Sequence, residues 1–82
     1  MPLRILLVQP DPEAAQPLER YFKEQGDQVW IAANPVKAVA LLDEADPQIL
    51  FLDIHYPGAG WLNLLRLVRQ KSPTLKIIIT SK

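Results

Sequence analysis

The stretch Gln48-Ile49-Leu50-Phe51-Leu52-Asp53 is apolar from its second residue to an acid at its last. A continuous apolar run of this length suits a strand covered on both faces of a parallel sheet. Behind it, His55-Tyr56-Pro57-Gly58-Ala59-Gly60 reads as a loop from its Pro and Gly content. Working outward, Leu3-Arg4-Ile5-Leu6-Leu7-Val8 is a second run of the same kind, ended by Gln9-Pro10-Asp11-Pro12. Gln28-Val29-Trp30-Ile31-Ala32 and Leu75-Lys76-Ile77-Ile78-Ile79-Thr80 complete a set of four predicted strands.

Helical signals fill each gap. Asp11 can cap a helix with Pro12 at its first position and Glu13 in its first turn, running to about Gln25 and stopped by Gly26. Leu18, Tyr21 and Phe22 form its predicted inward stripe, and Pro17 should kink the helix or delay its start. Asn34-Pro35 repeats the cap, opening a helix that carries Val36, Val39, Ala40 and Leu42 and ends near Asp46-Pro47. Residues 61–70 form the third helix, with Leu62, Leu65 and Val68 inward, broken by Ser72-Pro73. Strands separated by such helices imply βαβ units and a parallel sheet. Ligand chemistry in that architecture belongs outside the carboxyl ends of the strands. Those ends are Gln9-Pro10-Asp11, Asn34, Asp53-Ile54-His55 and Thr80-Ser81.

Composition narrows the function. The 82 residues allow one domain. Nine basic and nine acidic residues cancel, whereas a nucleic-acid binder carries a basic excess. The absence of cysteine removes disulfides, thiolate zinc sites and thiol catalysis. The apolar run after Met1 is too short for a signal peptide or a membrane span, so a cytoplasmic location is expected. No Walker loop, G-x-G-x-x-G turn or metal-spaced His pair is present, and independent enzymatic turnover is not expected.

Taken together, these residues resemble the receiver domain of bacterial response regulators, the phosphoacceptor half of two-component signalling. The resemblance runs the length of the chain. It is most specific at Leu52-Asp53-Ile54-His55-Tyr56-Pro57-Gly58, where Pro57 stands four residues after the strand-ending acid, and again at Thr80-Ser81. It implies an α/β, flavodoxin-like parallel sheet with strand order 2-1-3-4. It also implies that Asp53 is the phosphoacceptor, a nucleophile that becomes an aspartyl phosphate. Thr80, with Ser81 beside it, falls at the phosphoryl-contacting switch. Metal contacts fall on Asp53, on the backbone carbonyl of His55 and, if it swings in, on Asp11. The implied partner is a histidine kinase or another signalling protein, with no membrane and no nucleic acid bound by this domain.

The departures are equally specific. The family places two adjacent acids at the end of the first strand, where this chain has Gln9 and Pro10. Mg²⁺ is held by oxygen ligands, chiefly carboxylates, and an amide and a proline supply little of that. Gly60 and Trp61 stand where the family has Asp-Gly. The family lysine at the end of a fifth strand lies beyond Lys82, which is not its substitute. Measured against that family, residues 1–82 lack a fourth helix, a fifth strand and a fifth helix. The fourth strand would then be an edge although Ile77-Ile78-Ile79 is apolar on both faces, and one sheet face would be partly bare. Covering about 400 Å² of apolar surface is worth roughly 10 kcal/mol before association costs. Self-pairing through this edge or face, a swap of elements between copies, or membership of a longer protein is therefore expected.

Two functional readings follow. One is an atypical phosphorelay receiver with Asp53 as phosphoacceptor; the other is a phosphorylation-independent pseudo-receiver serving as an interaction or dimerisation module. The Gln9-Pro10 replacement separates them and favours the second. Trp61 is expected to pack over the altered site, and Tyr56 to be an exposed contact. Asp53 to Gly58 also spells D-x-H-x-x-G, the lower-ligand pattern of cobalamin-binding domains. There it follows the first strand, with serine and glycine elements much further along. Here it follows the third, and only residues 59–82 remain.

Overall fold

The computed structural model describes residues 2–53 and 59–80, with Asp53 and Ala59 described through their backbone. The elements are β1 (Arg4–Val8), α1 (Pro12–Glu24), β2 (Gln28–Ala32), α2 (Pro35–Ala45), β3 (Ile49–Asp53), α3 (Ala59–Lys71) and β4 (Lys76–Thr80). The strands form one sheet in the order β2-β1-β3-β4, all pairs parallel, as the sequence predicts.

β1 is central because its residues are apolar on both faces: Ile5, Leu6, Leu7 and Val8 are all essentially without solvent contact. Alternate residues serve two layers. Leu6, Val8, Ala32, Leu50 and Leu52 join Ala38 and Leu42 of α2 and Leu64 and Val68 of α3 in one core. On the other face α1 packs against β2, and Phe22 meets Phe51 of β3 edge to face at 5.7 Å between centroids. Among the described residues, no helix is long and apolar enough to cross a membrane.

The helix boundaries follow from local chemistry. Asp11 Oδ1 accepts the Glu13 N–H at 3.0 Å, and Asn34 Oδ1 accepts the Lys37 N–H at 2.8 Å. Each cap is followed by a proline whose missing N–H would be unpaired there in any case. α1 stops at Gly26, whose φ of +86° suits a residue without Cβ. Around it the Gly26 N–H reaches the Lys23 carbonyl and the Asp27 N–H reaches the Phe22 carbonyl, both at 3.0 Å. This is the paired hydrogen bonding of a Schellman stop.

Several expectations are corrected. α1 begins at Pro12 in spite of Pro17, which lies exposed inside the helix. The Glu13 carbonyl that Pro17 cannot serve is in the first turn, close to solvent. Tyr21 and Leu62, predicted inward, are exposed, and so are Val36 and Ala40 of α2. Val68 is buried as predicted, and the other buried helical positions among the described residues are Ala15, Ala38, Leu42, Ala45 and Leu64. Small residues let α1 and α2 approach the sheet closely, which turns the bulkier neighbours toward water.

Candidate functional site

The chain leaves β1 toward β2 on one side, and β3 lies on the other side of β1. Such a reversal opens a crevice at the carboxyl ends of the two strands. Val8 pairs with Leu52, so Gln9 and Asp53 are the next positions along adjacent strands. Asp53 in turn pairs with Thr80, the last residue of β4. The fold therefore brings Gln9, Asp53 and Thr80 to one end of three neighbouring strands. Asp53 and Thr80 are 27 positions apart in sequence and become direct neighbours through register alone.

Gln9 is buried at 8% exposure, the one buried polar residue among those described. Its backbone N–H donates to the Ala32 carbonyl at 3.0 Å, extending β1 by one residue beside β2. Its side-chain Oε1 accepts the Asp11 N–H at 2.9 Å. Asp11 is exposed and uses Oδ1 to cap α1. Thr80 is half-buried. The side chain of Asp53, and all of His55, Tyr56 and Ser81, lie outside the described residues. Trp61 is half-buried against the core shared by α2 and α3, and Trp30 packs against that same core from β2.

Gln9, Asp53 and Thr80, three of the strand-end positions named from the sequence, thus lie together, while Asp11 is placed as a helix cap. Sequence reasoning missed the part played by Gln9, which registered there only as a lost acid. The available signal was a polar residue directly after a fully buried strand, where its amide needs partners. A second unforeseen feature is a shallow apolar groove of about 170 Å³ between α2 and α3, lined by Pro35, Val36, Val39, Gly60, Leu64 and Leu67 among others. Gly60 borders it without necessity, since a Cβ there would meet Pro35 Cγ at an ordinary 3.6 Å.

Residues 5–82 match the family model described as response regulator receiver domain. The chain is 34% identical over 77 residues to the transcriptional regulatory protein TrcR of Mycobacterium tuberculosis, covering 90% of this chain and 30% of that protein. Among solved structures, it is similar to the response regulator TrrA of Thermotoga maritima in complex with Mg²⁺ and beryllofluoride. There the TM-score is 0.81 and identity 29%, over 96% of this chain and 68% of that one. A CheY-like receiver domain protein from Methanospirillum hungatei matches in fold with TM-score 0.87 at 23% identity, over 99% of this chain and 65% of that one. The chain therefore spans under a third of the curated relative's length.

Proposed function

The chain belongs to the response regulator receiver domain family of two-component signalling, and from that membership we propose that it is an atypical phosphorelay receiver with Asp53 as its phosphoacceptor. The observation that carries the reading is the register that sets Asp53 beside Thr80 at the carboxyl end of the sheet, next to the β1–β3 crevice. In the proposed step the Asp53 carboxylate attacks the phosphorus of a kinase phosphohistidine. An O–P bond forms, the N–P bond breaks, and the imidazole departs with the bonding pair. Thr80, with Ser81 after it, is the hydroxyl-bearing strand end that reports the change. The chain receives a phosphoryl group in this reading and turns over no other substrate.

The proposed partner is a histidine kinase or another signalling protein in the bacterial cytoplasm, together with a second copy of the chain paired through β4. A phosphorylation-independent interaction module is the second reading. It is favoured by one observation: the oxygens of Gln9 and Asp11 that face the turn are already engaged by backbone amides. On the first reading Asp53 and the His55 carbonyl would be the ligands left for Mg²⁺, a set short of the acid pair that the family supplies.

Acetyl phosphate labelling separates the readings. The expected result is a slower-migrating, acid-stable and hydroxylamine-sensitive species on phosphate-affinity gels, absent from Asp53→Asn. A folded chain that stays unlabelled by both acetyl phosphate and a phosphorylated kinase would leave the interaction-module reading. Beryllofluoride provides a second readout through Trp61 fluorescence. Because Trp30 packs on the same core, the measurement uses Trp30→Phe so that one indole reports.

A further inference from the structure

Gln9 stands where the resemblance implies an acid, and the structure gives its amide a different task. A backbone N–H must end on an acceptor, so the 2.9 Å contact from the Asp11 N–H identifies the atom it meets as the amide oxygen. The other polar atom of the Gln9 side chain is then an NH₂ group, a donor that offers no lone pair to a cation. Pro10 has no side-chain oxygen. Asp11 places Oδ1 on the Glu13 N–H at 3.0 Å, where a carboxylate is also favoured by the first turn of α1. Mg²⁺ takes about six oxygens in near-octahedral array, several of them waters and one or two from carboxylates, and against the acid pair of the family this turn keeps one carboxylate, already committed through Oδ1 to the cap of α1.

We infer that the turn between β1 and α1 is a hydrogen-bonded latch that excludes divalent cations from the carboxyl end of the sheet, with Gln9 as the deciding residue. The latch has two links in series. Gln9 Oε1 holds the Asp11 backbone, and Asp11 Oδ1 holds the first turn of α1. The first link is part-buried and its acceptor side chain is buried, so losing it costs more than losing a hydrogen bond in open water. Gln9→Glu changes one NH₂ into an oxygen and leaves the other oxygen free to keep the Asp11 contact. It also sets a second acid next to Asp53, at adjacent strand-end positions of β1 and β3.

The inference goes beyond the phosphoacceptor reading, and each can fail alone. Labelling of Asp53 that proceeds in EDTA satisfies both; labelling that requires Mg²⁺ keeps the first and overturns this one. The direct test uses the whole 82-residue chain with Mn²⁺ as probe, following paramagnetic broadening of backbone amides in nitrogen-15 spectra. The native chain should show no selective broadening of the amides of residues 9–13 at about millimolar Mn²⁺. Gln9→Glu should show it, with half-saturation at least tenfold lower in Mn²⁺, and should melt higher when Mg²⁺ is added. Gln9→Met keeps side-chain length without an acceptor and should stay blind to Mn²⁺ while melting below the native chain. Selective broadening around residues 9–13 in the native chain at submillimolar Mn²⁺ overturns the inference, whether or not the variants fold. So does a Gln9→Met melting temperature equal to the native one.

Discussion

At the scale of single residues, the backbone is constrained most tightly where α2 ends. Asp46 has φ of 46° and ψ of 59°, the left-handed conformation that closes a helix and that residues other than glycine, asparagine and aspartate seldom adopt. Arg4 reaches across from β1 to hold it: Nε donates to the Asp46 carbonyl at 2.8 Å, while the guanidinium lies 3.8 Å from the carboxylate. The carboxylate is almost wholly exposed, so the ion pair adds little, and the hydrogen bond to the backbone carbonyl is the contact that matters. That contact survives any side-chain replacement at 46. Asp46→Gly should therefore be more stable than Asp46→Ala by about 1 kcal/mol, the reverse of the ranking inside a helix. Urea midpoints of the two variants measure the difference, and an alanine variant equal to or above glycine would show that the left-handed stop is absent in solution. Gln9 belongs to this scale too. Its identity was plain in the sequence, but its role was not, because its partner is a backbone N–H and no side-chain pattern advertises it.

Among the elements, the strands were the legible part and the helix faces were not. β2 lies where the sequence placed it, and β1, β3 and β4 each begin one residue later than the apolar runs suggested. The carboxyl ends of β3 and β4 fall where the sequence put them, and the parallel register then makes Asp53 and Thr80 neighbours. The helix stripes differ because the size of a side chain is a poor guide to its burial here. Val36 is 81% exposed, while Ala38, two residues on, is completely buried. Tyr21 stays outside with its ring edge-on to Phe22 at 5.6 Å, so the stripe of α1 runs instead through Ala15, Leu18 and Phe22. Pro17 is exposed and contributes no core packing, yet it removes one rung of the hydrogen-bond ladder. Pro17→Ala should restore the bond to the Glu13 carbonyl and stabilise the chain by about 1–3 kcal/mol. The check is a rise in urea midpoint with unchanged slope. A loss of stability would mean that Pro17 acts mainly by restricting the unfolded chain.

The whole molecule is as compact as its length requires: its radius of gyration is 11.8 Å, against about 11.7 Å for 82 residues in a globular domain. Compactness does not cover all of its apolar surface. Among the described residues β4 has one neighbour, β3, and Ile79 is 54% exposed although it continues the apolar run. Ile77 and Ile78 are half-buried, as are Ile49 and Phe51 of the adjoining strand. An edge of this kind is a template for another strand. Two copies meeting antiparallel about Ile78 would set Lys76 of each opposite Thr80 of the other, so that no like charges face and the three isoleucines align. Such a pairing joins two four-stranded sheets into one and covers Ile79. The 82-residue chain is therefore expected to self-associate, and light scattering after size exclusion over a wide concentration range should show a dimer. Ile79→Lys brings two charges into the centre of that pairing and should raise the dissociation constant at least tenfold, equivalent to about 1.4 kcal/mol. Because Ile79 is already more than half exposed, the same substitution should leave the melting temperature of the dilute chain nearly unchanged. A native chain that remains monomeric throughout, or an Ile79→Lys chain that dimerises as well as the native one, would rule out β4 as the contact.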